Sequence, residues 1–277
     1  ITVGCTDMGT GCDTIIAQFA ADVLETPIDN ISVYGVDTDI SPYDSGSYAS
    51  STTYLTGMAA VKACEQLRER IIALAAVRMN KDASALTFDG ENVIDESDGA
   101  KMSLFDIATA SMCNNEISLE VTYSHSSPVS PPPFMAACAE IEADPETGAI
   151  ELLDYTACVD CGTVVNTNLA RVQTEGGLLQ GIGMTLYEDI WYDERGKNLS
   201  NSFMQYKVPS RLDTDRIRVE FDSSYEPTGP FGAKSIGEIV INTPAPAIAD
   251  AVYNATGVWI NELPITPEKI LKGMKVI

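Results

Sequence analysis

The sequence has little positive charge and no long apolar run. Its 17 lysines and arginines stand against 40 aspartates and glutamates, which gives a formal net charge of −23. A surface this acidic repels the backbones of DNA and RNA as well as anionic membranes, so the charge argues against both as partners. No apolar stretch reaches the roughly 18–20 residues that a membrane-spanning helix needs. The composition therefore directs attention to small-molecule chemistry.

Histidine is almost absent, and the cysteines are scattered. His125 is the only histidine, so a zinc site lacks histidine ligands and a Ser–His–Asp arrangement lacks support. Cys158 and Cys161 form one CxxC, without a second pair. Because the pair lies on an expected strand, structural cysteines are favoured over a dithiol redox site, which prefers a helix N-terminus. An odd number of scattered thiols suits a reducing cytoplasm. The remaining cysteines are Cys5, Cys12, Cys64, Cys113 and Cys138.

Helical and strand-like patterns alternate irregularly along the 277 residues, which predicts an α+β fold. The expected strands are 1–5, 31–36, 136–144, 150–160 and 216–222, and the expected helices are 14–25 with Asp13 as N-cap, 54–79, 103–112, 169–189 and 244–257. Residues 80–103 are polar and predict a surface excursion. The proline-rich stretch 128–133 predicts a boundary between two α+β subdomains, 1–127 and 134–277. The chain opens directly on an expected strand, which predicts a fragment or a split subunit.

Three glycine-rich turns precede expected helices: DMGTGCDT (7–14), DSGSYASS (44–51) and GPFGAKSIGE (229–238). Free backbone N–H groups at such turns bind anions. Three of them in one chain predict a phosphorylated or polyoxygenated ligand. The alternative is that each glycine only permits a tight turn, and the residues alone leave both interpretations open.

Six segments, in this order, resemble one family: CTDMGTGCDT (5–14), residues 37–59, VDCGTVVN (159–166), residues 173–189, YKVPS (206–210) and GPFGAKSIGE (229–238). Together they resemble the C-terminal half of the molybdopterin-binding subunit of the molybdenum hydroxylases, the xanthine dehydrogenase and aldehyde oxidase family. The resemblance covers nearly the whole chain. It implies two α+β subdomains that bind a molybdenum cofactor.

The resemblance also implies a mechanism centred on Glu238. In this family a molybdenum carrying oxo, sulfido and hydroxide ligands is held by a pyranopterin dithiolene, with no direct ligand from the protein. A glutamate in the GxGE-type motif takes the proton of the hydroxide, whose oxygen attacks an electron-poor carbon of an N-heterocycle or aldehyde. Hydride passes to the sulfido group. Without the resemblance, Glu238 would be interpreted as a surface carboxylate or as a residue at the start of a helix.

Further positions carry over one at a time as implied by the resemblance. Gln173 matches a glutamine that contacts the cofactor near the metal, and Gly237 lies within the motif of the base. Tyr48 stands where substrate specificity varies, and Lys234 is expected to fix its loop or to offset the charge of Glu238. The remaining cofactor-binding positions are Gly9, Thr10, Gly11, Ala49, Ser50, Ser51 and Thr52. Many relatives have Gln where this chain has Thr10, which puts one side-chain contact in doubt.

The family's active site also needs parts that this sequence does not contain. The resemblance implies partners that supply the N-terminal half of the molybdopterin subunit, a module with two 2Fe–2S clusters and usually an FAD module. It also implies an oligomer. The cofactor is a molybdenum-pyranopterin, as molybdopterin or its dinucleotide form, and the chain alone is expected to be inactive. The alternatives are a non-catalytic scaffold that keeps the fold and a substrate-reducing member of the family.

Overall fold

The computed structural model describes residues 1–35, 37–112, 117–210, 212–213 and 216–277. The chain divides into two compact units, one made of Ile1–Ser130 and Pro227–Ala233 and the other of Pro131–Glu226 and Lys234–Ile277. Both units combine helices with antiparallel strands, so the α+β prediction is confirmed. The chain leaves the first unit for the second a final time between Ala233 and Lys234, inside the segment GPFGAKSIGE.

Among the described residues, the first unit contains three α-helices and a small antiparallel sheet. They are α1 (Cys12–Leu24), α2 (Gly57–Met79), the antiparallel strands β1 (Leu86–Phe88), β2 (Asn92–Asp95) and β3 (Lys101–Ser103), and α3 (Leu104–Met112). Helices α1 and α2 pack on each other because α1 buries one apolar face, including Ile16 and Phe19. A second cluster around Leu74 and Val93 packs α2 against the small sheet.

The second unit is a three-stranded sheet covered by helices. Strands β4 (Phe134–Ala143) and β5 (Ile150–Asp160) form an antiparallel hairpin, and β6 (Ile217–Asp222) pairs in parallel with β5. The helices are α4 (Thr167–Leu186), α5 (Pro244–Thr256) and α6 (Pro267–Gly273). Their buried faces meet the sheet in one core that includes Tyr155, Ile182 and Ile248. The predicted hairpin and the helices over 169–189 and 244–257 are therefore confirmed.

Several local predictions are wrong, each for a physical reason. Residues 80–103 contain β1–β3 instead of a surface excursion. Their Asp–Gly pairs form turns between short strands, and the apolar side chains of β1 and β2 are buried. The N-cap of α1 is Gly11, and Asp13 lies in the first helical turn. The expected strand 1–5 makes one isolated bridge, Thr2 with Tyr34, in place of a sheet.

Two further predictions concern the boundaries of α2 and α3. Helix α2 begins at Gly57, because residues 52–56 form a wider π turn ahead of it. Ser103 caps α3, since its Oγ accepts a hydrogen bond from Asp106 N (3.1 Å) and donates one to Asp106 Oδ2 (2.6 Å). Val36, at the end of the expected strand 31–36, and Cys113 lie outside the described residues.

Candidate functional site

The first predicted cofactor turn, Gly9–Thr10–Gly11, is organised by an aspartate at its start. Asp7 Oδ1 accepts hydrogen bonds from Gly9 N (2.9 Å) and Gly11 N (3.1 Å). Both glycines have positive φ, 106° and 75°, which favours glycine at these positions. The expectation of free amides at this turn is therefore wrong for these two N–H groups, because the side chain of Asp7 already occupies them. A Cβ at Gly9 would meet nothing within 4 Å, so the backbone there is open to a ligand.

The second turn carries five of the predicted residues and holds a conformation that is rare for them. Ala49 and Ser50 are consecutive left-handed residues, with φ of 52° and 56°. Such a conformation costs on the order of 1–3 kcal/mol per residue without glycine. The side chain of Thr52 closes the turn by donating to Ser47 Oγ (2.8 Å), and Tyr48 is exposed. The turn presents backbone and hydroxyl groups, the donor set that suits an oxygen-rich ligand.

Asp44 plays the same part in the second turn as Asp7 in the first. Its Oδ1 accepts from Gly46 N (2.8 Å), and its Oδ2 accepts from Thr56 Oγ1 (3.3 Å). The carboxylate thus ties the start of the loop to its end, immediately before α2. Sequence reasoning missed both aspartates, although an aspartate two residues before a glycine is a recognisable turn signal.

Residues 227–233 belong to the first unit and are held there by aromatic side chains. The hydroxyl of the buried Tyr54 forms hydrogen bonds with Thr228 Oγ1 (2.7 Å) and Ser127 Oγ (3.1 Å). Phe231 adopts a φ of 51° and stacks on Phe19, with ring centroids 5.7 Å apart. These contacts fix the GPFG part of the third predicted turn.

Glu238 and Gln173 lie in the second unit, on segments that pack against each other. Gly177, one turn after Gln173 on α4, approaches the 3-10 turn Ile239–Ile241 so closely that a Cβ there would lie 2.1 Å from Val240 Cγ2. Glu238 begins that turn and is exposed, next to the half-buried Gly237. The glycine at 177 therefore sets the distance between the helix of Gln173 and the turn of Glu238.

Lys234, four residues before Glu238, is anchored by a buried ion pair. Its ammonium lies 2.9 Å from Asp160 Oδ2 and 5.3 Å from the centroid of the Phe134 ring, and its side chain is only 6% exposed. Its backbone N donates to Cys161 O (2.7 Å). Of the two roles expected for Lys234, these contacts support fixing the loop, because the ammonium is engaged by Asp160.

The carboxylate of Asp160 is kept ionised by its neighbours. Burial by itself would raise its pKa. Hydrogen bonds from Ser224 Oγ (2.7 and 2.8 Å), Gly162 N (2.9 Å) and Lys234 outweigh that effect and lower the pKa of Asp160 to about 2. Sequence reasoning considered the CVDC motif for its cysteines and missed this aspartate between them. No local signal marks it, since its partner is 74 residues away.

The six described cysteines are free thiols, and Cys158 on β5 is exposed whereas Cys161 is buried. Burial, the main cause, raises the pKa of Cys161 to about 11, so this thiol is a poor nucleophile.

One set of three potential metal ligands lies among the described residues: Asp7, Cys12 and Asp13, whose ligand atoms are within 4.8 Å of one another. Since Asp7 already accepts two backbone hydrogen bonds, its geometry is explained without an ion.

Comparison with known proteins identifies the class. Residues 1–215 match the family model of the molybdopterin cofactor-binding domain. The probable hypoxanthine oxidase XdhD of Escherichia coli K12 is 38% identical over 276 residues, covering 99% of this chain and 29% of that protein. A structure of quinoline 2-oxidoreductase from Pseudomonas putida 86 superposes with a TM-score of 0.85 at 27% identity, covering 98% of this chain and 36% of that one. A structure of the Cu,Mo-CO dehydrogenase gives a TM-score of 0.87 at 25% identity, covering 99% of this chain and 35% of that one.

The fold and the match define a molybdopterin-binding domain of the type found in xanthine, aldehyde and CO dehydrogenases. The chain belongs to the molybdenum hydroxylase family, and the resemblance drawn from the six segments is confirmed. It spans about a third or less of the length of the relatives named above. In the part of the chain that the structure describes, every helix is too short or too polar to cross a bilayer.

Proposed function

We propose that this chain is the molybdenum-pyranopterin-binding portion of an oxidoreductase that hydroxylates an N-heterocycle or an aldehyde with oxygen from water. The observation that carries the proposal is the setting of Glu238. Its carboxylate is exposed, yet the segment is anchored on both sides in sequence, by the Lys234–Asp160 pair before it and by Val240 against Gly177 after it. An exposed carboxylate on a fixed backbone suits a general base that must meet a cofactor.

The named relatives support the substrate class. Hypoxanthine and quinoline, which appear in the names of two of them, are both N-heterocycles with an electron-poor carbon beside a ring nitrogen. When bound, the molybdenum cofactor supplies the oxygen that is transferred and takes up the two electrons. A carboxylate oxygen of Glu238 accepts the proton released in that transfer, and a correctly placed general base contributes about 10²–10⁴-fold in rate.

The two turns of the first unit are proposed to bind the cofactor. The residues fit it, because a Cβ at Gly9 would meet nothing within 4 Å, which leaves room for a ligand although the N–H of Gly9 donates to Asp7. The left-handed turn at Ala49 and Ser50 adds backbone and hydroxyl groups. Gly11, Ser51 and Thr52 complete this set. Thr10 is proposed to contribute through its backbone, because it stands where many relatives have the longer side chain of Gln.

In the second unit, Gln173 is proposed to contact the cofactor near the metal, and Gly237 to give Glu238 room for close approach. Tyr48, exposed in the first unit, is proposed to line the substrate pocket. We further propose that residues 1–127 and 134–277 act as the two subdomains of one cofactor-binding region.

The size of the relatives leads to a proposal about partners. The relatives are about three times as long as this chain, so we propose that turnover needs the N-terminal half of a molybdopterin subunit together with iron–sulfur and FAD modules. The chain alone is then inactive, and the assembled enzyme works in the cytoplasm. Hydroxylase turnover by the purified 277-residue chain would contradict this part of the proposal.

The decisive experiment replaces Glu238 in the assembled enzyme. Glu238→Gln keeps size and polarity but cannot accept a proton, so kcat should fall by about 10²–10⁴-fold with molybdenum content unchanged. Glu220→Gln is the matched control, because Glu220 is an exposed carboxylate on β6 in the same unit. If Glu238→Gln retains near-normal kcat, Glu238 is not the base. Absence of molybdenum from the wild-type enzyme would instead favour a non-catalytic scaffold.

A further inference from the structure

The 3-10 turn that follows the candidate base, Ile239–Ile241, packs closely on one face of α4. A Cβ at Gly177 would lie 2.1 Å from Val240 Cγ2, and a Cβ at Gly181 would lie 2.6 Å from Pro244 Cγ. The two glycines are four positions apart, so both lie on the same face of the helix. One side of the turn is therefore in close contact with α4 from its middle to the first residue of α5.

A buried hydroxyl contact holds the end of the same turn on the sheet. Tyr155 on β5 is completely buried, and its hydroxyl donates a hydrogen bond to Thr243 Oγ1 (3.0 Å). Thr243 Oγ1 donates in turn to Met135 Sδ on β4 (3.6 Å). Burial raises the pKa of Tyr155 to about 12, so its hydroxyl stays protonated and remains a donor near neutral pH. The residues after Glu238 are thus bonded to both strands of the β4–β5 hairpin.

The side chain of Thr243 does not do what a threonine at its position usually does. Thr243 is the N-cap of α5, where a threonine hydroxyl normally accepts a hydrogen bond from a backbone N–H of the first turn. Here the side chain makes no capping bond. Two of the next three residues, Pro244 and Pro246, have no N–H to donate. The hydroxyl is therefore directed to Tyr155 and the sheet instead of to the helix.

The backbone connects this contact to Glu238. Ile241 N donates to Glu238 O (3.3 Å), and Asn242 N donates to Ile239 O (3.1 Å). These two hydrogen bonds close the turn, so a displacement of Thr243 moves Glu238 with it.

We propose that Tyr155 is a positioning residue for Glu238, which it holds in place through the hydroxyl of Thr243. Strand β5 then fixes the segment of the base at both ends, because Asp160 on the same strand binds Lys234. The role in catalysis rests on the proposed function, in which Glu238 accepts a proton. The position of the turn depends only on contacts within this chain, so it is measurable without the cofactor.

Substitutions that change only hydroxyl groups test the proposal in the assembled enzyme. Tyr155→Phe and Thr243→Val each remove the hydrogen bond and nearly keep the shape of the side chain. In both, kcat should fall by about 10-fold to 10²-fold with KM unchanged, because a displaced base affects the chemical step and not substrate binding. Thr243→Ser keeps the hydroxyl and should keep most of the activity. The double variant should lose no more than either single variant, since both remove the same bond.

Thr256→Val is the matched control. Thr256 is the last residue of α5, at the opposite end from Thr243, and its hydroxyl donates to Val252 O (2.7 Å). Its loss should lower the free energy of unfolding but leave the kcat of the folded enzyme unchanged. If Thr256→Val and Thr243→Val reduce kcat equally, the hydroxyl of Thr243 acts through overall stability and the proposal is overturned. Wild-type kcat in Tyr155→Phe overturns it as well.

A second comparison separates this proposal from the proposed function. In an enzyme that already carries Glu238→Gln, adding Tyr155→Phe should cause no further loss of kcat, because the base is already absent. A further loss of full size would show that Tyr155 acts on another group, which overturns the positioning role while Glu238 remains the base. Near-normal kcat in Glu238→Gln alone contradicts the proposed function, and the catalytic role of Tyr155 is overturned with it.

Hydrogen exchange followed by NMR tests the position of the turn in the full 277-residue chain, without cofactor or turnover. Tyr155→Phe should speed the exchange of the Ile241 and Asn242 amides by about 10-fold, as expected when one hydrogen bond that holds the turn is lost. Thr256→Val should leave both amides unchanged. Unchanged exchange in Tyr155→Phe would show that the hydroxyl does not hold the turn, whatever the role of Glu238.

Discussion

Alanine should have opposite effects on the stability of the fold at two adjacent glycines of α4, Gly176 and Gly177. Gly176 is exposed, and a Cβ there would meet nothing within 4 Å. Alanine at this position should stabilise the helix by about 0.5–1 kcal/mol, since it lacks the backbone entropy of glycine. At Gly177 the same Cβ would lie 2.1 Å from Val240 Cγ2 and 3.1 Å from Val240 Cβ.

The overlap at Gly177 cannot be relieved by a side-chain rotation alone. Val240 is fully buried, so the 3-10 turn that begins after Glu238 has to move away from α4. Overpacking of this kind costs about 1–3 kcal/mol. Because both variants gain the same helix propensity, the difference in their free energies of unfolding isolates the overpacking and should be about 1–3 kcal/mol.

Urea unfolding followed by circular dichroism measures both variants against the wild type. In the assembled enzyme, Gly177→Ala should also lower kcat, because displacement of the Ile239–Ile241 turn moves Glu238, the proposed base. Gly176→Ala should leave kcat unchanged. Equal stabilisation by the two alanines would refute the reasoning, since it would show that α4 and the turn are not in close contact at Gly177.

Three further predictions follow from the same contacts. Lys234→Met should lower the free energy of unfolding by about 3–5 kcal/mol, since it leaves a partly buried carboxylate without its cation, and a denaturant titration should show a much smaller loss for Arg218→Met, whose pair is largely exposed. The pKa of Asp160 is about 2 in the folded protein, so the stabilisation from its carboxylate is present above the unfolded pKa of about 4 and is lost as pH falls towards 2. The free energy of unfolding should therefore fall less steeply with decreasing pH in Asp160→Asn. An unchanged acid limb of the stability–pH curve would contradict the lowered pKa. Tyr54→Phe should cost about 1–2 kcal/mol in thermal or urea unfolding by removing two hydrogen bonds of a buried hydroxyl, whereas Tyr43→Phe, at an almost fully exposed position, should be neutral.

The elements that the sequence predicted well are those with strong local signals. Helix α5 has prolines in its first turn and a left-handed glycine, Gly257, after its end, and the structure keeps both boundaries. The β4–β5 hairpin was predicted from two strand patterns around a short turn. The small sheet of the first unit was missed, because strands of three or four residues are too short to show a period.

Within the candidate site, the sequence predicted the glycine-rich turns, but it did not predict the aspartate side chains that accept hydrogen bonds inside them. The glycines of the first turn were read as donors to a ligand, but the amides of Gly9 and Gly11 donate to Asp7. The sequence motif is compatible with both a ligand and Asp7 as the acceptor, because an aspartate side chain and a bound phosphate accept the same hydrogen bonds.

The amino-acid sequence by itself determined the family, the order of the main elements and the candidate base, because these depend on residue types within short windows. Only the tertiary structure decided which distant residues meet. It pairs Lys234 with Asp160, places Gly177 against Val240 and joins the Tyr54 hydroxyl to Thr228. Such contacts follow from how helices and strands pack once the core is buried, and burial depends on the whole chain instead of on any local pattern.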